Sequence, residues 1–401
     1  MNIALRIKSA SRELLTFTAV FLMLGVGSSI FDSIFNNYLN DRFQLTGFQR
    51  SFLELPRELP GFLVVFITAL LWFLSSRRLG AFSLLLAVFG ALFVGFATSS
   101  FTGLAVSLFV YSMGTHLFMP LSTSIGMELA HENQTGRRLG QLNAVRNFAT
   151  VLGSFLVFIG FRFLHFNFSI SYLLASVGLG IASILMVTMK PGLAQKPAGY
   201  LTLHKEYRLF YILNILSGSR KQIFLTFGPW VIVTILKQPT QTIATLLTIG
   251  GVIGILFQPL LGRAIDRFGE RLILQWEAVL LVLVCLGYGF SKFLFPAGVA
   301  FILICGFYLL DQMLFSVNMA RSMYMKKIAL EDSHVQPALT AGLTIDHIFS
   351  ITVALVGGVI WNRFGFQYVF VLGILIAILN FIAAGFVPIF QPRQPIPSGD
   401  K

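Results

Sequence analysis

Runs of mostly apolar residues, each about twenty residues long, recur from one end of the chain to the other. A helix of that length crosses the hydrocarbon core of a bilayer, whereas the strands of a β-barrel would alternate apolar and polar residues. We therefore predict twelve membrane-spanning helices, called spans 1 to 12 in chain order. They cover residues 13–38, 47–74, 80–98, 102–127, 139–163, 169–189, 209–236, 242–261, 272–290, 297–323, 339–361 and 366–387.

The low content of charged residues supports this prediction. Charged residues make up 11% of the 401 residues, whereas roughly 25% is typical of a soluble chain. So few charges cannot cover the water-facing surface that a soluble chain of this length would expose. Most of the outer surface must then contact the lipid bilayer, and the predicted fold class is an all-α membrane protein.

The net charge of +13 is distributed unevenly between the two sides of the predicted bundle. If the N-terminus is cytoplasmic, nineteen Lys and Arg residues fall in cytoplasmic segments. Six fall outside, namely Arg42, Arg50, Arg162, Lys237, Lys292 and Arg363. This bias predicts a multi-pass protein of the cytoplasmic (plasma or inner) membrane with both termini in the cytoplasm. It also explains the basic charge without a nucleic-acid partner.

The longest polar stretch between spans, residues 190–208, divides the spans into two sets of six. We predict an N-terminal six-helix bundle (residues 1–189), a cytoplasmic linker (190–208), a C-terminal six-helix bundle (209–390) and a disordered cytoplasmic tail (391–401). A weak internal repeat aligns residues 73–80 with 262–269, and places Arg146 opposite His347. A half repeated in parallel is one of the ways in which transporters are built.

The loop between spans 8 and 9 carries the most specific motif of the chain. Its residues are Gly262, Asp266, Arg267, Gly269 and Arg271. They resemble the loop signature of the major facilitator superfamily, glycine-x-x-x-Asp-Arg-x-Gly-x-Arg, at the place where that family has its second copy. The first copy departs from the pattern, because Phe73 stands for the glycine and Arg77 for the aspartate.

The resemblance implies two pseudo-symmetric six-helix bundles around a central site that opens alternately to the two sides of the membrane. It implies that spans 1, 4, 7 and 10 line the cavity, with contributions from spans 2, 5, 8 and 11. It also implies that Asp266 lies near Arg137 and Arg138 at the start of span 5 and holds the cytoplasmic side shut. The alternative for Asp266 is a salt bridge that merely stabilises the loop.

Ionisable residues inside the spans are the main guide to a site. Each one costs roughly 2.5–3.5 kcal/mol at the centre of an inserted helix, so it should face a cavity or a partner. In span 2, Glu54, Arg57 and Glu58 are spaced so that two carboxylates flank one guanidinium. Such carboxylates would hold protons with different strengths, which suits a proton carrier. The alternative is a structural triad that neutralises itself.

The remaining candidates fall mostly on the same helices. We predict that substrate is bound by Asn36, Arg57, Arg146, Asn147, Asn214, Arg220, Lys221 and Gln312. We predict that protons are carried among Asp32, Glu54, Glu58, Asp311, Asp346 and His347. Arg220 and Lys221 are adjacent cations and need anionic partners or an anionic ligand. The alternative for part of both sets is salt bridges between helices, and His116 is interpreted as a packing residue.

These features together predict a secondary active transporter that moves a small anionic or amphiphilic organic solute by alternating access, coupled to protons and acting as a monomer. A non-transporting receptor or sensor on the same scaffold is one alternative. An uncoupled facilitator or multidrug-type exporter is another. We predict no cofactor, no metal and no enzymatic activity, since neither a phosphate-binding loop nor a nucleophile with its base is visible. Cys285 and Cys305 are interpreted as small core residues.

Overall fold

The computed structural model describes residues 3–130, 135–192, 203–331 and 334–389, which form helices joined by short turns. The α-helices are α1 (Ile3–Phe43), α2 (Gly47–Phe52), α3 (Glu54–Leu70), α4 (Ser76–Leu92), α5 (Phe101–Glu128), α6 (Thr135–Phe163), α7 (Phe168–Thr188), α8 (Arg208–Trp230), α9 (Thr240–Leu294), α10 (Ala297–Leu314), α11 (Asn318–Ile328), α12 (Val335–Phe364) and α13 (Phe366–Gly385). Part of the predicted linker (193–202) and the predicted tail lie outside the described residues.

Nine helices of the described residues are long and apolar enough to cross a membrane. One of them is α9, which bends at Gly269 (φ 80°, ψ 162°), and its two arms correspond to predicted spans 8 and 9. The two helices that correspond to spans 2 and 7, α3 and α8, are not among the nine. Counting both arms of α9 and adding these two gives the predicted number, and the count of twelve spans itself stays a prediction.

Two predicted spans are interrupted. Span 2 begins as α2, which the Thr46 capping box starts at Gly47, and resumes as α3 after Leu53. Span 10 begins as α10, passes through a 3-10 turn over Phe315–Val317 and continues as α11. The charged side chains near these breaks, Arg50 and Arg321, are buried in the protein.

The helices pack as two bundles. In the first half, α1 packs on α6 and α7, and α4 packs on α5 and α7; in the second half, α9 packs on α10 and α13, and α8 packs on α12. Each half encloses one large apolar core. The halves meet along two seams, where α6 contacts α9 and where α12 contacts α2 and α3. Between these seams lies the space in which a solute could bind.

Candidate substrate cleft

The two halves touch closely at one end of the bundle, which we call the closed end. A Cβ atom added to Gly47 of α2 would lie 2.3 Å from Trp361 Cδ1 of α12. The backbone amide of Phe48 donates to Asn362 Oδ1 (3.2 Å), and Asn37 Nδ2 donates to the Gln238 carbonyl oxygen (2.9 Å). Helices from both halves therefore seal this end.

The halves separate toward the opposite end, which carries the 262–271 loop and which we call the open end. On the seam between α6 and α9, Ser154 Oγ and Thr248 Oγ1 are 2.9 Å apart, and Gly251 fits against Val151. One turn further along α9, a Cβ atom at Gly254 would have no neighbour within 4 Å. In the described residues, the packing between α6 and α9 therefore loosens toward the open end.

Two adjoining cavities form the cleft, and Phe315 lines both. The first, of about 330 Å³, lies in the second half and is lined by polar side chains that include Asn214, Arg220, Lys221, Asn318 and Asp346. The second, of about 290 Å³, lies between the halves and is lined by Asn147, Gln258 and Gln312 among others. The structure thus brings six of the residues predicted from sequence to one cleft.

The adjacent cations of α8, Arg220 and Lys221, each have an anionic partner in the protein, which is one of the two alternatives that the sequence left open. Lys221 Nζ lies 2.7 Å from Asp346 Oδ2, and 26% of the Lys221 side chain stays exposed to the cavity. Arg220 Nη2 lies 3.4 Å from Asp311 Oδ1, and both side chains are buried. The Arg220 guanidinium also lies over the Phe315 ring, 4.9 Å from its centroid. Lys221 is therefore the cation of this pair that a solute can reach.

A buried network surrounds Glu54 in the first half. Arg50 was counted among the cations of the outer side, and it is fully buried within the protein. Because α2 starts at Gly47, Arg50 faces Glu54, which lies one turn later. Arg50 Nη1 lies 2.5 Å from Glu54 Oε1. Arg50 Nε donates to Asn36 Oδ1 (3.0 Å). Gln222 Nε2 donates to Glu54 Oε2 (2.9 Å). Asn36 and Glu54 are thus already bonded away from the cleft.

Arg57 lies between two carboxylates, but only one of them is the expected one. Its guanidinium is 3.7 Å from Glu54 Oε1 and 3.5 Å from Asp32 Oδ1. Asp32 and Arg57 keep 49% and 27% of their side-chain surfaces exposed. Glu58 does not complete the predicted triad, since its Oε2 is 2.6 Å from Nδ1 of His347 in the other half. Arg57 and Asp32 form an accessible, loosely held pair.

Arg146 of α6 is exposed and, among the described residues, has no ion pair within 4 Å. The Asp32 carboxylate lies within electrostatic range of both Arg146 and Arg57. The predicted position of Arg146 at the cleft is therefore consistent with the structure. Four cations were predicted to bind substrate. Among the described residues, the other three have a carboxylate within 4 Å, and Arg146 does not.

The loop motif is not engaged in this arrangement of the halves. Asp266 is exposed and makes no ion pair with the described residues, while Arg138 donates instead to Gln141 (2.8 Å). Gly262 was expected to permit close helix approach, yet no atom lies within 4 Å of its Cβ position. The expected contact of Asp266 with Arg137 and Arg138 is therefore absent from the described residues, and its gating role stays a prediction. Gly269 is required for another reason, its positive φ.

Sequence reasoning missed three ion pairs at the open end. Glu277 of span 9 was not among the candidates, and Arg321 was counted only among the nineteen cytoplasmic cations. Both are buried, and Arg321 Nη1 lies 2.8 Å from Glu277 Oε2. Lys327 Nζ lies 2.6 Å from Glu270 Oε1, and Arg77 of the degenerate first loop pairs with Glu128. The apolar run around Glu277 was a signal that this acid needs a buried partner.

Comparisons with known proteins agree on the fold. A sequence model of the Major Facilitator Superfamily matches residues 59–329. A search of curated protein sequences returned no match. Among solved structures, a mutant of the nucleoside transporter NupG is 14% identical with a TM-score of 0.74, covering 93% of this chain and 98% of that one. A POT family transporter in complex with a thioalcohol-conjugated peptide is 11% identical with a TM-score of 0.75, covering 93% and 94%.

A D-xylose–proton symporter is 16% identical with a TM-score of 0.66, covering 94% of this chain and 97% of that one. Identities this low show the common fold and leave the substrate open. The family match covers most of the chain, and it agrees with the two helical bundles and with the loop motif. The chain therefore belongs to the Major Facilitator Superfamily and has the fold of its membrane transporters.

Proposed function

We propose that this protein is a secondary active transporter that moves a small anionic or amphiphilic organic solute across the cytoplasmic membrane by alternating access. The observation that carries the proposal is the pattern of charge on the two walls of the cleft. Arg57 and Arg146 stand on the first half and Lys221 on the second, each with accessible surface. A solute with a carboxylate or phosphate group would bridge the halves through these cations.

The carboxylates beside two of these cations suggest how binding and protonation are linked. Asp32 is 3.5 Å from Arg57, so an incoming anion competes with Asp32 for the guanidinium. A carboxylate that loses its cation partner inside the bilayer binds a proton more readily. One anion and one proton would then move together, leaving the charge of the cleft unchanged. Glu54 and Asp311 are buried and paired, which favours Asp32 for this role.

The orientation of the cleft follows from the charge bias. The open end carries the loop that the distribution of Lys and Arg assigns to the cytoplasm. We propose that the structure corresponds to an inward-facing state, with both termini in the cytoplasm. A single chain supplies both walls of the cleft, so a monomer suffices for transport.

A ligand screen followed by transport in proteoliposomes tests the proposal. Purified protein would first be heated with a panel of mono- and dicarboxylates and phosphate esters, because a ligand of the folded state raises its stability. Arg146→Ala should abolish the stabilisation given by any hit, while Arg162→Ala, at the end of the same helix, should retain it. If Arg146→Ala keeps the full response, the anion-binding assignment is wrong.

Coupling is tested with the same hit and a pH-sensitive dye inside the vesicles. Uptake should acidify or alkalinise the lumen in the wild type. It should do the same in Asp41→Asn, the control, which makes the same chemical change at the exposed end of α1. Asp32→Asn should exchange substrate across the membrane without moving protons. Proton movement retained in Asp32→Asn contradicts the assignment of Asp32. Ligand binding without any transport would favour the alternative of a non-transporting receptor or sensor. Transport without proton movement in the wild type would favour the alternative of an uncoupled facilitator or exporter.

A further inference from the structure

Three potential metal ligands from three helices meet where the halves join. Glu58 belongs to α3, His116 to α5 and His347 to α12, and one ligand atom of each lies within 4.8 Å of the other two. Two of these helices belong to the first half and one to the second. Glu58 and His347 are buried, and the His116 and His347 rings meet edge to face with centroids 5.2 Å apart.

The hydrogen bonds of His116 fix which of its nitrogens is free. Its Nδ1 lies 2.9 Å from the Ser112 carbonyl oxygen, an acceptor, so Nδ1 carries the hydrogen and donates it. Nε2 is then left with a lone pair. A ligating histidine commonly donates its other ring N–H to a backbone carbonyl, because that bond holds the ring and its tautomer in place. His116 therefore has the support that a metal ligand needs.

The local charge also favours a bound cation. Lys221 pairs with Asp346, and Arg57 lies between Glu54 and Asp32, so the closest ion pairs of both cations are with other carboxylates than Glu58. Among the described residues, the only partner of the Glu58 carboxylate within 4 Å is His347. With both imidazoles neutral, the three side chains together carry one negative charge. A buried charge of this kind requires a proton or a metal ion.

We propose that Glu58, His116 and His347 form a binding site for a divalent transition-metal ion of the Zn²⁺ class. Two imidazoles and one carboxylate are a ligand set typical of Zn²⁺, and a water molecule takes the fourth position. Ligand atoms of a tetrahedral Zn²⁺ site lie roughly 3.3 Å apart, given bonds of about 2.0 Å. Glu58 Oε2 and His347 Nδ1, which are 2.6 Å apart, must therefore separate by about 0.7 Å as the ion replaces the hydrogen bond between them, whereas the ligand atom of His116 lies within 4.8 Å of both and must approach by up to about 1.5 Å.

The ligands come from both halves, so the ion acts as a bridge. Metal bound here holds α12 against α3 and α5, and the protein stays in the arrangement with the closed end sealed. Zn²⁺ is thus an inhibitor of the change between states and not the transported solute. This property does not depend on the identity of the substrate or on proton coupling.

Equilibrium binding of ZnCl₂ to the purified full-length chain in detergent, prepared without a histidine tag, tests the site. His204 and His334 stack with centroids 4.4 Å apart and could capture metal on their own, so every protein carries His204→Ala. We expect one Zn²⁺ per chain. We also expect at least tenfold weaker binding in Glu58→Gln, His116→Ala and His347→Ala, but not in His165→Ala, an exposed control.

Folding is checked in each variant by gel filtration and by thermal unfolding without metal, and His116→Gln replaces any alanine variant that fails. CoCl₂ gives an independent readout, since tetrahedral Co²⁺ absorbs strongly in the visible range and the three ligand variants should lose that band. Zn²⁺ should also raise the unfolding temperature of the parent protein. The proposal is overturned if the parent does not bind Zn²⁺ at millimolar ZnCl₂, or if folded His116 and His347 variants bind it equally well.

Discussion

Replacing Gly358 with alanine tests whether the contact between α2 and α12 determines which end of the cleft is open. A Cβ atom at position 358 would lie 1.9 Å from Ser51 Oγ and 2.8 Å from Ser51 Cβ. Non-bonded carbon atoms normally lie about 3.5–4.0 Å apart. Ser51 is fully buried and its hydroxyl donates to the Phe48 carbonyl oxygen (2.8 Å), so its side chain is not free to turn aside. The two helices must separate by about 1 Å.

The free-energy cost applies only while the two helices touch. Inserting a methyl group into a packed interface costs about 1–3 kcal/mol. Because 1.4 kcal/mol changes an equilibrium constant tenfold, the population ratio should move by about 5- to 150-fold toward states in which the closed end has opened. Gly358→Ala therefore favours the opposite orientation of the cleft without touching any residue that lines it.

Pulsed electron paramagnetic resonance measures this shift directly. Spin labels on cysteines at Asp41 and Arg363, both exposed at the closed end, report the distance between the halves in a background without Cys285 and Cys305. The distance distribution should broaden or move to longer values in Gly358→Ala.

Gly306→Ala is the matched control, because its Cβ position has no neighbour within 4 Å. Adding Ser51→Gly to Gly358→Ala removes the clashing side chain and should restore the wild-type distribution. If Gly358→Ala gives the same distribution as Gly306→Ala, the interface does not control the orientation and the reasoning fails.

Three further substitutions at the open end separate what a buried ion pair, a partly exposed ion pair and a glycine-specific backbone conformation contribute to the free energy of unfolding. Glu277→Gln leaves the buried Arg321 without its counter-charge and should lower the free energy of unfolding by about 3–5 kcal/mol, seen as the largest drop in unfolding temperature. Glu270→Gln should cost only about 1 kcal/mol, since 39% of the Lys327 side chain is exposed and water replaces the lost partner. Gly269→Ala should cost about 1–3 kcal/mol in unfolding experiments, because its φ and ψ are accessible almost only to glycine.

Controls for these substitutions come from the same region. Gly262→Ala, which introduces a methyl group into open space, should leave the unfolding temperature unchanged or slightly raised. Equal losses in Gly262→Ala and Gly269→Ala would show that backbone strain is not the cause. A Glu277→Gln protein that unfolds no earlier than Glu270→Gln would contradict the account based on burial of the cation.

The bilayer makes the fold of such a chain easy to predict and its site difficult. Apolar runs reveal helices directly, because a backbone in lipid must satisfy its own hydrogen bonds. The need of Lys221 and Arg220 for anions was evident from the same rule, since a lone charge in a span is too costly. Their partners, Asp346 and Asp311, were among the candidates for carrying protons, and no pairing could be assigned from the sequence.

Partner choice could not be predicted where it depends on a helix break or on a distant contact. Arg50 was assigned to the outside because it stands near the start of a span, and the start of α2 at Gly47 decides that it faces inward. The Glu58–His347 contact joins residues 289 positions apart. Helical spacing alone placed Glu58 beside Arg57, which was the nearest available cation. The role of each candidate in binding or coupling stays a prediction.

The ion pairs of the two inter-helix loops have opposite polarity, and this bears on how the halves find their own partners. In the first half Arg77, at the start of α4, meets an acid at the end of α5, Glu128. In the second half Glu270, directly after the bend of α9, meets a lysine at the end of α11, Lys327. A bundle assembled with these elements exchanged would oppose Arg77 to Lys327 and Glu270 to Glu128. Like charges at both contacts would therefore disfavour that exchanged assembly relative to the observed one.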